Sequence, residues 1–299
     1  MKEAIRKLLK ERNGILLAHN YQPAEIQDVA DMCGDSLELS MKAAQTDVEV
    51  LVFCGVHFMA ETAAILCPEK TVLLPRMDAG CPMADRITPE ALEARKRELP
   101  GIPVVTYVNS PASVKALSDI CCTSANAVQV AESLRCPEVL MTPDRNLARY
   151  VASKTKTVVH VWDGCCPIHD AMRAEDVVRA KQAHPEALVL AHPECRMEVL
   201  ELADQVLSTS GMLRFASSSP YREFIVGTEV GLLHGLQKAN PDKRFFPLSE
   251  RMRCPDMKKI SLADVVGCLE RLEHRITVPE AIRRNALGAV QRMLEVKGK

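Results

Sequence analysis

The sequence predicts an α/β protein assembled from several small parallel-sheet domains, and three observations predict it. Short apolar runs alternate with amphipathic stretches almost from end to end. Those runs are continuously apolar, as strands are when helices cover both faces of a parallel sheet. Three similar loops recur at nearly equal spacing: GCPMAD at 80–85, CCPIHD at 165–170 and RCPDMK at 253–258. Their cysteines, Cys81, Cys166 and Cys254, are 85 and 88 residues apart. Such self-similarity implies three homologous units of roughly a hundred residues around a pseudo-threefold axis.

Taken in order, the strand candidates are 15–18, 48–54, 71–75, 103–108 and 138–142, then 157–162, 187–191, 205–208 and 223–227, with weaker ones near 120–122 and 245–247. That is more than the eight strands of a single (β/α)₈ barrel. Helices are expected at 57–67, 124–135 and 174–183, and two more, at about 261–273 and 279–296, close the chain. Crossovers between parallel strands should be right-handed. The units then run over 1–85, 86–170 and 171–260, with 261–299 packing back on them. Cys67-Pro68 and Cys136-Pro137 each stand between a helix and a strand and read as helix stops.

Composition excludes several classes. There are 38 Lys and Arg against 39 Asp and Glu, a net charge of −1, and 4% aromatics. A nucleic-acid binder needs a basic stripe or stacking platforms. No apolar run reaches the length of a membrane span. The opening MKEAIRKLLKERNG is a charged amphipathic helix without a signal-peptide core. The expectation is a soluble cytoplasmic protein without nucleic-acid or membrane partners. Its twelve cysteines should be reduced thiols, most of them small buried hydrophobes.

In parallel sheets, ligands bind beyond the carboxyl ends of the strands. Here those ends carry His19, Asn20 and Tyr21; Cys81; Tyr107 and Asn109; Thr123 and Ser124; Asp163, Cys165, Cys166 and His169; His192, Glu194 and Cys195; Ser208, Thr209 and Ser210; and Thr228 and Glu229. Helix capping accounts for Ser110, Thr142 and Ser124, and is a rival reading of Ser36. The rest should converge on one pocket. Three cysteines around a shared axis suit a cubane iron–sulfur cluster with one open iron. Zinc, held by Cys and His with one open position, is the alternative. His57 and His234 read as packing residues, His160 as a core histidine and Trp162 as filling a domain interface.

A dozen motifs in order are similar to those of a known family. They are LAHNYQ (17–22), GDSLELS (34–40), GVHFMAETA (55–63), TVLLPRMDAGCPMAD (71–85), YVNS (107–110), CTSANA (122–127), PDRNLARYVA (143–152), CCPIH (165–169), AHPEC (191–195), STSGM (208–212), VGTEVGLLH (226–234) and the Met257-Lys258-Lys259 run after Cys254. Together they resemble quinolinate synthase, the A-type enzyme of bacterial and archaeal NAD biosynthesis, over essentially the whole chain. The resemblance implies three homologous αβα-sandwich domains. It implies one 4Fe-4S cluster per chain on Cys81, Cys166 and Cys254, with Cys165 at a position where the family does not usually have cysteine.

It further implies condensation of iminoaspartate with dihydroxyacetone phosphate to quinolinate, with loss of phosphate and two waters. Substrate or product would be held by His19, Ser36, Tyr107, Val108, Asn109, Ser124, His169, His192, Pro193, Glu194, Ser208 and Thr209. Tyr21 would join His19 and Glu194 in proton transfer. An iminoaspartate-producing oxidase or dehydrogenase is the implied transient partner. The competing functions are a zinc-dependent hydrolase using Cys166, His169 or His192, and a non-catalytic iron–sulfur metabolite sensor.

Overall fold

A computed structural model describes residues 1–296. Three four-stranded sheets follow one another along the chain. The first contains β1 (Gly14–His19), β2 (Met32–Gly34), β3 (Val50–Cys54) and β4 (Thr71–Leu73). The second contains β5 (Val104–Tyr107), β6 (Ile120–Cys122), β7 (Glu138–Thr142) and β8 (Val158–Val161). The third contains β9 (Leu188–Ala191), β10 (Gln205–Val206), β11 (Glu223–Gly227) and β12 (Arg244–Pro247). All pairings are parallel. The spatial orders are β2-β1-β3-β4, β6-β5-β7-β8 and β10-β9-β11-β12, one topology used three times.

The central strands are the most apolar segments and the most buried; all five residues of β3 are buried. The edge strands β8 and β12 begin at an exposed residue and stay half-buried. There His160 pairs with Glu138 at 2.6 Å on a partly exposed edge and is no core histidine. Trp162 packs beside the small cluster of Ile87, Leu92, Val104, Val114 and Leu140 within the second unit and fills no domain interface.

One strand, β2, lies outside the sequence expectation. Its Met-Cys-Gly has no β-branched residue, so nothing local favours a strand. A side chain sets it instead. Asp31, just before β2, accepts the Leu16 N–H at 2.8 Å. The same device recurs before β6, where Asp119 accepts the Val104 N–H at 2.8 Å, and before β10, where Asp204 accepts the Val189 N–H at 2.7 Å.

The helix expected at 124–135 begins only at Ala127, because the Asn126 Oδ1 accepts the Thr123 N–H and holds 123–126 in a turn. Ser110 and Thr142 are not caps. The Ser110 hydroxyl donates to the Tyr107 carbonyl, and Thr142 Oγ1 lies 3.0 Å from Thr106 Oγ1 inside the sheet.

A single core joins the first and third sheets, running from Leu16 and Val52 to Phe224 and Val226. The second unit has its own core, closed by Ala286, Ala289, Val290 and Met293 of the last helix, Glu280–Glu295. The preceding helix, Leu262–Arg271, packs on Lys2–Glu11. No helix among the described residues is long and apolar enough to cross a membrane.

Candidate active site

Strand register makes the site threefold. Ala18 pairs with Cys54, Thr106 with Thr142 and Ala191 with Gly227. His19, Tyr107 and His192, each one residue further on, are therefore equivalent. So are Tyr21, Asn109 and Glu194, two residues beyond them. From the second strands, Gly34 pairs with His19, Cys122 with Tyr107 and Val206 with Ala191, which makes Ser36, Ser124 and Thr209 equivalent. All nine side chains line one small cavity, with Phe58, Met59 and Met257 on its walls.

The hydroxyl positions gain from their helices. Ser36 and Thr209 are the first residues of the helices Ser36–Gln45 and Thr209–Ser218, capped by Asp35 and Ser208. Ser36 is thus not the cap. The positive ends of those helices favour carboxylates or phosphate. Asn20 Nδ2 donates to Thr209 Oγ1 at 2.9 Å and joins the first unit to the third.

The three repeated cysteines line a second, larger space. Cys81, Cys166 and Cys254 each follow the fourth strand of a sheet and all line it. The two spaces adjoin, since Tyr21, Phe58, Asn109, Glu194 and Met257 face both. Cys165 is not on either wall. Burial pushes the Cys81 thiol up to about 12, burial and the Glu194 charge push Cys166 well above the usual thiol range, and burial raises Cys254. Three such thiols ionise together only if a cation compensates them. Beside them the Asn109 Oδ1 and Glu194 Oε1 are buried and accept no hydrogen bond among the described residues. The donor set fits a three-thiolate cluster with an open iron next to the cavity. Cys166, His169 and Glu194 also place ligand atoms within 4.8 Å of one another, a smaller group suited to a single metal ion.

A chain of hydrogen bonds runs along the boundary between the two spaces. Tyr21 Oη lies 2.5 Å from Thr228 Oγ1, which lies 2.9 Å from His169 Nε2. His169 Nδ1 is 2.9 Å from Glu194 Oε2, which is 3.2 Å from His192 Nδ1. His192 Nε2 is 3.1 Å from Ser124 Oγ. Burial alone would raise the Glu194 carboxyl, but the two histidines that donate to it hold it well below the usual range. Burial and the Glu194 charge lift Tyr21 and Tyr107 far above ordinary phenols. Burial, then the neighbouring His192, push His19 down to about 3. Its Nδ1 accepts the Tyr21 N–H at 3.2 Å, so neutral His19 carries its proton on Nε2.

Other candidates fall elsewhere. His169 lines the cysteine chamber rather than the smaller cavity. Val108, Pro193 and Ser208 are buried and line neither space; Ser208 donates to Asp35 Oδ2 at 3.3 Å. His234 is a surface residue, 3.0 Å from Asp28. Phe58, Met59 and Met257 were not among the strand-end candidates, since apolar side chains there read as core. Thr228 was among them, one residue past β11, but without an assigned role.

The profile of the family described as NadA, quinolinate synthetase A protein, matches residues 3–295. A quinolinate synthase of Geotalea uraniireducens is 55% identical over 296 residues, 99% of this chain and 97% of the relative. Quinolinate synthases of Methanosarcina barkeri and Thermodesulfovibrio yellowstonii are 53% and 54% identical, each over 97% of its own length and 99% and 98% of this chain.

Proposed function

Because the chain belongs to the quinolinate synthetase A protein family, we propose that its threefold cavity is where iminoaspartate and dihydroxyacetone phosphate condense to quinolinate, phosphate and two waters. The chain is an enzyme of NAD biosynthesis. The observation that carries the reading is the convergence of nine register-equivalent side chains beside a chamber walled by three cysteines. The zinc-hydrolase and sensor alternatives have no such support from the family.

Cys81, Cys166 and Cys254 would hold the 4Fe-4S cluster. When bound, it supplies a Lewis-acidic iron for substrate oxygen and nitrogen atoms. The residues around it do the rest. Ser36 and Thr209, at helix starts, receive carboxylate or phosphate oxygens. Ser124, Tyr107 and Asn109 add neutral contacts. A dianionic substrate thus meets helix ends and neutral donors rather than a basic cluster.

Isomerisation and dehydration both require protons to move. Tyr21 can take a substrate proton at Oη while its own passes through Thr228 to His169 Nε2, leaving an imidazolium that the Glu194 carboxylate stabilises through Nδ1–H. His19, neutral and protonated on Nε2, donates to a substrate oxygen without bringing a charge. Phe58, Met59 and Met257 form the apolar part of the cavity wall. An oxidase or dehydrogenase would deliver iminoaspartate by transient contact, in a cytoplasm that keeps the twelve cysteines reduced.

Glu194→Gln and Tyr21→Phe test the assignment. Both variants should keep iron and sulfide at the parent's level and lose quinolinate output by at least about a hundredfold. Near-normal output from either would remove that residue from the mechanism.

A further inference from the structure

Asp144 and Glu229 stand at equivalent positions, two residues past β7 and β11, and each accepts the backbone N–H of a chamber cysteine. Asp144 Oδ2 accepts from Cys166 N at 3.1 Å, while its Oδ1 accepts from Asn146 N and Leu147 N at 2.8 Å and so caps the helix Arg145–Lys154. Glu229 Oε1 accepts from Cys254 N at 3.0 Å. Its Oε2 accepts from Gly231 N at 2.7 Å and Lys258 Nζ at 2.9 Å. Both carboxylates are almost wholly buried, at 2% and 1% exposure. We propose that this pair is a clamp, fixing two of the three cysteine loops for the cluster and leaving the third, at Cys81, without a counterpart. The proposal rests on reading the chamber as the cluster site.

The geometry gives the clamp a purpose beyond folding. Each carboxylate joins the loop after the third strand of its sheet to the cysteine loop after the fourth. Gly164 lets the second pair of loops close up, since a Cβ there would collide with the Pro143 carbonyl. Lys258 donates to the Tyr21 carbonyl as well as to Glu229, so the Cys254 loop is tied to the segment that carries Tyr21. In the first unit the equivalent residue is Val56, which has no acceptor. There the segment closes backbone to backbone, His57 N to Ala79 O at 2.8 Å.

Thiolates crowded on one cluster repel, so the amides that hold their loops bear on how firmly the ligands stay in place. A carboxylate can accept on both oxygens; an isosteric amide must turn its NH₂ toward one of the N–H donors and lose that bond.

The test is Asp144→Asn and Glu229→Gln, compared with the parent after anaerobic cluster loading. Three quantities are read: the melting temperature of the cluster-free protein, the rate at which a chelator removes iron, and the cluster midpoint potential. The expected result is a cluster-free protein that still melts cooperatively, at a somewhat lower temperature, with iron release about tenfold faster, the factor corresponding to one lost charge-assisted hydrogen bond. Glu229→Gln should also shift the potential upward, because Lys258 is left uncompensated near the cluster. Parent-like release from both variants would overturn the clamp, as would a lowered melting temperature without faster release. If Asp144→Asn does not fold, the release rate and potential of Glu229→Gln decide. A parent that takes up no iron and sulfide would overturn the cofactor reading itself, an outcome distinct from failure of the clamp.

Discussion

Tyr21 Oη and Thr228 Oγ1 lie 2.5 Å apart although 207 residues separate them, each just beyond a strand of a different sheet. This contact starts the chain that ends at Ser124, and it makes a threonine the link between a phenol and the His169–Glu194 pair. Thr228→Val keeps the shape and removes the hydroxyl. It should retain iron and sulfide, cut kcat by about a hundredfold, and be partly rescued by Thr228→Ser. Parent-like kcat in Thr228→Val would show that Tyr21 works without the relay.

Replacing Cys81, Cys166 or Cys254 with Ser should abolish cluster uptake, measured as iron and sulfide per chain. Cys165→Ser, Cys195→Ser and Cys122→Ser should load normally. Cys195 and Cys122 are fully buried in apolar cores, and Cys165 is off the chamber wall. Loss of the cluster in Cys165→Ser with retention in Cys166→Ser would reverse the ligand assignment.

His19 gives stability a pH dependence of known sign. Burial first, then His192, hold it at about 3 when folded against 6.5 as the ordinary value. Between those values the unfolded chain binds a proton that the folded chain refuses. The contribution is complete above 6.5 and is lost as the pH falls toward 3. From about pH 7 to about pH 5 the loss from this side chain is about 2 kcal/mol. The melting temperature of cluster-free His19→Asn should therefore fall less over that interval than the parent's. Equal slopes would contradict a buried neutral His19.

Asp204→Ala removes the acceptor for Val189 N–H and the anchor of a two-residue strand. The cost should be about 1 kcal/mol, since the aspartate is exposed and water can replace it in part. Urea unfolding checks this, and an unchanged midpoint would mean that β10 is held by its neighbours alone.

The three-unit architecture was legible because buried parallel strands write continuous apolar runs and because the cysteine loops repeat. β2 was not, since a short Met-Cys-Gly strand is placed by Asp31 and its pairing with β1 rather than by propensity. In the site, His19, Tyr21, Tyr107, Asn109, His192 and Glu194 were readable as polar residues at strand ends. Asp144 was not singled out, because an Asp at such a place usually caps a helix, and Thr228 was readable only as one of many strand-end residues, with no role attached. Asp144 does cap one, and only the fold brings its second oxygen to the Cys166 amide. The choice of Cys166 over Cys165 likewise depends on which side chain faces the chamber.

The most direct test is iron and sulfide analysis of the anaerobically isolated protein, coupled to quinolinate formation from iminoaspartate and dihydroxyacetone phosphate. The expected result is about four irons and four sulfides per chain, as a site-differentiated cubane requires, with quinolinate output proportional to cluster content. Quinolinate formation by iron-free protein, or a fully loaded protein that forms none, would contradict the account.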